Sequence, residues 1–220
     1  MAATIRLAEA DDAEAMAEIY RPSVTHAVIS FETEPPDEAE MRRRLAHTLP
    51  QHPWLVCEVD DLSSGAAARR VVGYAYASKH HERSAYRWSV NVSVYIDERV
   101  RRAGIGRGLY TSLFAILTVQ GYVNAYAGIT LPNAGSVGLH EAMGFEPLVV
   151  YRKVGYKFGA WHDVGYWQRT LAVRASTPAE PMDVPAMAQR AEWPSLLDTG
   201  LVCIRADAIQ SDTPQSDTAC

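Results

Sequence analysis

The chain has 220 residues, 48% of them apolar, and a formal net charge of −5. That length allows one good-sized domain with an appendage and enough apolar matter for a core, while the acidic balance argues against nonspecific nucleic-acid binding, which needs a concentrated basic face. The three cysteines form no Cys-x-x-Cys pair and suggest neither a zinc site nor a disulfide framework; no apolar run reaches the roughly 18 residues of a membrane span, and residues 1–12 hold no secretory core segment, so the expectation is a cytoplasmic protein with no metal, nucleic-acid or membrane partner.

Residues 4–8 alternate in polarity and predict a first strand. Asp11-x-x-Glu14 reads as a capping box before Met16, Ile19 and Tyr20 on one helical face, with Pro22 expected to end or kink that helix. Pro35-Pro36-Asp37 starts a second helix that reaches 49, where Pro50 and Pro53 stop it. Residues 54–59 and 71–78 predict paired strands around a Ser/Gly/Ala loop at 60–70, and 88–96 predicts the next strand. Leu109, Leu113, Ile116 and Leu117 mark a core-facing helix over 105–120. A strand at 123–129, a short helix at 136–143 closed by Gly144 and strands near 146–154 and 161–172 complete an α/β domain with a mixed sheet over residues 1–174. Residues 175–220 hold five of the twelve prolines among many Ser, Thr, Asp and Ala. That composition predicts a flexible or loosely docked tail, with some apolar residues between 193 and 209 able to dock locally.

The densest chemical signal lies between the strand at 88–96 and the helix at 105–120. Arg101-Arg102-Ala103-Gly104-Ile105-Gly106 couples two glycines to a helix N-terminus, whose unpaired N–H groups favour a phosphate. Glycines at 104, 106 and 108 break the G-x-G-x-x-G spacing, and the following strand ends in Thr130-Leu131-Pro132-Asn133 with no carboxylate, so a dinucleotide fingerprint fails. A Gly-Lys-Ser/Thr phosphate loop is missing too.

Arg-x-x-Gly-x-Gly after a strand resembles instead the coenzyme A pyrophosphate loop of the GNAT superfamily of acetyl-CoA-dependent N-acetyltransferases. Residues 133–145 resemble the superfamily's second signature, N-x-x-S-x-x-L-x-x-x-x-G-F, through Asn133, Ser136, Leu139, Gly144 and Phe145. Ser30-Phe31-Glu32-Thr33-Glu34-Pro35, Ser93-Val94-Tyr95 and the run from Gly155 to Gln168 are narrower, and resemble the phosphinothricin and methionine sulfoximine acetyltransferase family. The resemblance runs from about residue 3 to 172. It implies a mixed central sheet flanked by helices, acetyl-CoA as co-substrate, a small amino-acid-like acceptor and a homodimer. It also implies that acetyl-CoA meets Arg101, Arg102, Ala103, Gly104, Ile105 and Gly106 at the pyrophosphate, Ser93, Val94 and Tyr95 along the pantetheine arm, and Asn133 and Ser136 from the other side.

Acetyl transfer to an amine needs proximity, an oxyanion donor and a route for the ammonium proton. The third need exposes a departure. The family carries a glutamate, its proposed base, two residues before the serine of Ser-Val-Tyr, and this chain has Asn91 there. An amide cannot take that proton at neutral pH, though Asn91 can orient an amine or a water. His140, Glu32 and water are the remaining candidates for the base, His140 because imidazole titrates in the right range. An anionic acceptor calls for a cation, and Arg83, just ahead of the strand, is the leading one. Phe31, Glu32, Val90 and Val92 are candidates to wall the acceptor pocket. A coenzyme A-binding regulatory or sensor module with weak catalysis is the competing reading, favoured only by Asn91; acetylation of a protein N-terminus or lysine is a third.

Overall fold

The computed structural model describes residues 2–60 and 68–209. Seven strands form one sheet in the order β1-β2-β3-β4-β5-β7-β6. These are β1 (Ala3–Leu7), β2 (Trp54–Asp60), β3 (Arg69–Lys79), β4 (Ser89–Ile96), β5 (Asn124–Leu131), β6 (Glu146–Lys157) and β7 (Ala160–Thr170). Every neighbouring pair is antiparallel except β4–β5, joined by a crossover through α3 (Ile105–Gln120). Part of the expected loop at 60–70, residues 61–67, and Cys220 lie outside the described residues.

The sheet buries a separate core on each face. On one side α1 (Ala13–Thr25) and α2 (Glu38–Thr48) cover Trp54, Val56 and Tyr74 with Met16, Tyr20, Val24, Met41 and Leu45. On the other side Ile105, Leu109, Leu113, Ile116 and Leu117 of α3 meet Leu55, Cys57, Ala75, Val90 and Val92. These α3 positions recur at helical spacing, and each such side chain removed from water contributes roughly 1.5–3 kcal/mol. Gly104 and Gly121, both left-handed, bound α3 at its two ends.

Two local expectations change at α1. The capping carboxylate is Asp12, not Asp11, and it caps the short turn Ala10–Asp12 that leads into α1: Asp12 accepts the Glu9 N–H at 2.7 Å and both Arg6 guanidinium nitrogens at 2.7 Å. Asp12 is buried where Arg6 of β1 can reach it, whereas Asp11 points to solvent. Pro22 does not end the helix, which runs on to Thr25 with Val24 buried. Proline costs a helix one N–H bond, and packing of Tyr20, Ser23 and Val24 on the sheet offsets that loss.

The feature that positions the site is a parting of β4 from β5. Their pairing covers Ser89, Val90 and Asn91 against Asn124, Ala125 and Tyr126 and goes no further. Beyond it, Val92–Tyr95 and Ala127–Thr130 become the two walls of a cleft, floored by Tyr110 of α3 and closed by α4 (Ala134–Ala142) through Ser136 and His140.

Residues 181–209 correct the expectation of a loosely docked tail. The Met182 N–H donates to the Gln120 carbonyl at 2.8 Å and that of Val184 to Pro50 at 3.1 Å. Helix α5 (Val184–Ala188) buries Val184 and Met187, and α6 (Trp193–Asp198) lays Trp193, Leu196 and Leu197 on the α3-side core. Glycine pairs make the fit: a Cβ on Gly200 would stand 1.9 Å from the Gly108 carbonyl oxygen. Ser112 Oγ donates to Leu197 O at 2.6 Å and accepts the Gly200 N–H at 3.0 Å. Composition counted the prolines here but not the small residues on α3 that receive this segment.

Candidate active site

The loop at 101–106 is bound on its inner side by the C-terminal segment. Gly104 takes φ +81°, and a Cβ there would stand 1.9 Å from the Cys203 carbonyl oxygen. The Ala103 carbonyl accepts the Arg205 N–H at 2.8 Å, and the Arg102 carbonyl accepts the Arg205 guanidinium. Ala103 and Ile105 turn their side chains into the core, so only their main chain can face a ligand. Arg101 is exposed and paired with Glu98 at 2.7 Å, and Arg102 is exposed with φ 65°. Gly106 faces α4, where a Cβ would meet Leu139 at 3.2 Å. The result is a loop whose carbonyls are held from behind, at the positive end of α3.

Ser93, Val94 and Tyr95 line one wall of the cleft, and Asn133 and Ser136 line the far end. Asn133 caps α4, its Oδ1 accepting the Ser136 N–H at 3.0 Å. Its amide NH₂ has no partner among the described residues, so the cap and a ligand contact are compatible. The strand groups of β4 that would pair with β5 lose that partner past Asn91, and a ligand with amide groups can take the place of the missing strand.

Asn91, Ser93 and Tyr95 project on the α1/α2 face of the sheet, opposite Ser78, Tyr76 and Tyr74 of β3. Val90 and Val92 project on the other face and are buried, 0% and 4% exposed, in the α3-side core. They therefore do not wall a pocket beside Asn91, because successive residues of a strand point to opposite faces; Val92 reaches only the cleft on its own side. On the α1/α2 face a groove runs over Tyr20, Arg44, Trp54, Tyr74, Tyr76 and Ser78. Trp54 and Tyr76 stack at 4.0 Å, and the buried Trp54 indole N–H has no acceptor among the described residues.

Glu32 stands at the edge of this groove. It accepts two hydrogen bonds from Arg44 at 2.8 and 2.9 Å and one from the Tyr20 hydroxyl at 2.9 Å. Burial pushes its carboxyl up, but the Arg44 and Tyr20 hydrogen bonds outweigh it and hold the group below the usual carboxylate range. So placed, Glu32 is a fixed anion rather than a base. Phe31 seats on Gly155 of β6, where a Cβ would stand 2.0 Å from its ring, and wedges the α1–α2 connection against β6. Lys157, buried, fastens the same connection by donating to the Val24 and Ser30 carbonyls at 2.6 and 2.7 Å.

His140 is buried with both ring nitrogens committed. One proton sits on Nδ1 and is donated to the Ser136 carbonyl at 2.8 Å, and Nε2 accepts the Tyr110 hydroxyl at 3.0 Å. Burial lowers its pKa. These contacts give His140 a structural part in the cleft wall and no free lone pair for an acceptor amine. Arg83 is exposed at the turn before β4, and its guanidinium makes no hydrogen bond or ion pair among the described residues. His80, at the end of β3, was not singled out by any sequence signal. Its Nδ1 lies 2.9 Å from Asn91 Oδ1, and its ring stacks on Tyr126 of β5 at 4.3 Å. Only the β3–β4 register brings it there.

Comparison with known proteins agrees with this geometry. The profile of the Acetyltransferase (GNAT) domain matches residues 5–165. Phosphinothricin N-acetyltransferase of Streptomyces viridochromogenes is 38% identical over 84% of this chain and 94% of its own length. The L-methionine sulfoximine/L-methionine sulfone acetyltransferase of Pseudomonas aeruginosa is 31% identical over 81% of this chain and 100% of its own. The crystal structure of a GNAT superfamily phosphinothricin acetyltransferase from Sinorhizobium meliloti in complex with acetyl-CoA superposes with a TM-score of 0.74, 37% identical over 82% of this chain and 95% of that one. A matching profile over most of the chain, together with a parted β4–β5 pair headed by a glycine loop, shows that this chain belongs to the GNAT acetyltransferase family.

Proposed function

We propose that this enzyme moves the acetyl group of acetyl-CoA to the amino group of a small amino-acid-like acceptor, of the phosphinothricin or methionine sulfoximine type. The observation that carries this reading is the parting of β4 from β5 past Asn91, which leaves a cleft walled by Ser93, Val94 and Tyr95 on one side and Ala127–Thr130 on the other. Acetyl-CoA supplies an activated thioester. The main chain of the 101–106 loop and the N-terminus of α3 would hold its pyrophosphate. Ser93–Tyr95 would bond its arm and offer an N–H to the oxyanion, with Asn133 opposite. On the acceptor side Arg83 would pair with a carboxylate or phosphinate, and Phe31 and the Glu32–Arg44 pair would bound the pocket.

The same reading includes a cytoplasmic location and a homodimer. Strand β6 supports the dimer: it is one of the two sheet edges, and its Leu148, Val150, Tyr151 and Val154 are 42–53% exposed, an apolar band that natural edges rarely leave bare. Among the described residues no helix is long and apolar enough to cross a membrane.

Thiol release from acetyl-CoA, followed with phosphinothricin and with methionine sulfoximine as acceptors, is the test. Saturable release with either, abolished when the acceptor amine is blocked, is the expected result. Tight acetyl-CoA binding without release would support a coenzyme A-binding regulatory module instead. In the same assay Arg83→Ala should raise the acceptor KM by about tenfold or more, the worth of a charge-assisted bond of ~1.5–3 kcal/mol, and leave the acetyl-CoA KM unchanged.

A further inference from the structure

We infer that His80, held by Asn91, is the base that takes the proton from the acceptor's ammonium group; the inference rests on the acetyltransferase reading. Hydrogen-bond bookkeeping fixes the geometry. The Asn91 amide NH₂ donates to the Lys79 carbonyl at 3.1 Å, and a carbonyl only accepts. The amide is therefore oriented with Oδ1 toward His80, 2.9 Å from Nδ1. Oδ1 also only accepts, so Nδ1 carries the hydrogen. In the neutral ring this leaves the lone pair on Nε2, which has no partner among the described residues.

The ring is clamped as well as hydrogen-bonded. Tyr126 stacks on it at 4.3 Å and Tyr86 stands at 6.0 Å. The charged and titratable groups around it are Tyr86, Tyr126, the Lys79–Glu82 ion pair at 2.7 Å and His81, itself against Tyr86 at 4.7 Å. Asn91 and Tyr126 are also the last paired residues of β4 and β5, so the clamp sits where the two strands part. Ser93 lies two residues further on the same face, about 7 Å along the strand. An imidazole there stands on the face of β4 that carries Asn91 and Ser93, where the proposed reading puts the acceptor amine. His140 and Glu32, by contrast, have their acceptor atoms occupied.

The step balances simply. Nε2 takes one proton from R–NH₃⁺, giving R–NH₂ and an imidazolium. The nitrogen lone pair forms a C–N bond to the thioester carbonyl carbon, and the C–S bond breaks. The second nitrogen proton goes to the departing thiolate, and the imidazolium releases its proton to water. Asn91 is a positioning residue in this scheme, because it fixes the tautomer and never meets the substrate.

The test compares wild type, His80→Ala, His80→Gln and Asn91→Leu with methionine sulfoximine and acetyl-CoA. His80→Gln keeps the bulk and a donor toward Asn91 and loses the base. Both His80 variants should lose about 10²–10⁴-fold in kcat, the range of general-base catalysis, with the acceptor KM and the calorimetric acetyl-CoA affinity within about twofold of wild type. Added imidazole should restore kcat in His80→Ala, where the space is open, and not in His80→Gln. Nitrogen-15 spectra of labelled histidine should show His80 as the Nδ1–H tautomer, a signature lost in Asn91→Leu. Active wild type with equally active His80 variants would overturn the base assignment alone; a kcat loss without imidazole rescue would reduce His80 to a structural part. Wild type that binds acetyl-CoA but acetylates neither methionine sulfoximine nor phosphinothricin would overturn the acetyltransferase reading and this inference with it.

Discussion

His140 shows how a residue with the right chemistry can be taken out of the reaction by its neighbours. Its ring is pinned between the Ser136 carbonyl and the Tyr110 hydroxyl and packed edge-on against Phe145 at 5.1 Å. His140→Ala leaves the fully buried Tyr110 hydroxyl without its acceptor, a cost of about 1–3 kcal/mol, or several degrees in Tm for a domain of this size. The pH dependence has a definite sign. Burial lowers the folded-state pKa, so the neutral ring's contribution is complete above the ordinary imidazole value of 6.5 and is lost as pH falls below it toward the lowered value. The Tm gap between wild type and His140→Ala should therefore narrow between pH 7.5 and 5, as calorimetry at several pH values can measure. A gap that widened on acidification would mean that the folded protein holds His140 as a cation.

At the scale of elements, the N-terminus of α3 has two parts in the proposed reading. Its loop would hold the pyrophosphate, and the same turn receives the C-terminal segment at Gly104 and Gly108. The two glycines can be separated by experiment. Gly104→Ala meets both a left-handed backbone, a penalty of roughly 1–2 kcal/mol, and the Cys203 carbonyl oxygen at 1.9 Å. It should lower Tm and weaken acetyl-CoA binding together. Gly108→Ala meets the Gly200 carbonyl oxygen at 2.8 Å and Ile204 at 2.9 Å, one turn further from the loop. It should lower Tm with a much smaller change in acetyl-CoA affinity. Calorimetric titration of both variants is the measurement, and equal affinity losses would show that the segment, rather than the loop backbone, controls binding.

For the whole molecule, the C-terminal segment closes the face that α3 alone leaves bare. Val184, Met187 and Ile209 are buried, and Trp193, Leu196, Leu197, Leu201 and Ile204 pack on the same core. Each fully buried side chain is worth roughly 1.5–3 kcal/mol, against a net stability of about 5–15 kcal/mol for a typical domain. Truncation after Arg174 should therefore lower Tm strongly and expose α3 to apolar dyes. It should also weaken acetyl-CoA binding, since Arg205 no longer holds the Arg102 and Ala103 carbonyls. Unchanged melting in the truncated protein would mean that residues 1–174 bury their own core without help.

Much of this was local enough to read from the chain. Strand alternation, the 3.6-residue spacing of Leu109, Leu113 and Ile116, and glycine before a helix depend on neighbours a few residues apart, and all seven strands and the first four helices stand within a few residues of their expected places. The glycine loop and Asn133 as a cap followed in the same way, whereas the place of Ser93–Tyr95 at a ligand cleft came from the family resemblance. Strand parity alone would also have turned Val90 and Val92 away from Asn91. What distant segments decide was not legible. The β3–β4 register brings His80 to Asn91 across 11 residues, and α3's small residues turn a proline-rich stretch into part of the core. The commitments of His140 and Glu32 likewise belong to partners on other helices, Tyr110 on α3 and Arg44 on α2. Whether a titratable side chain keeps a free lone pair is set by what packs around it, and packing is a property of the folded chain.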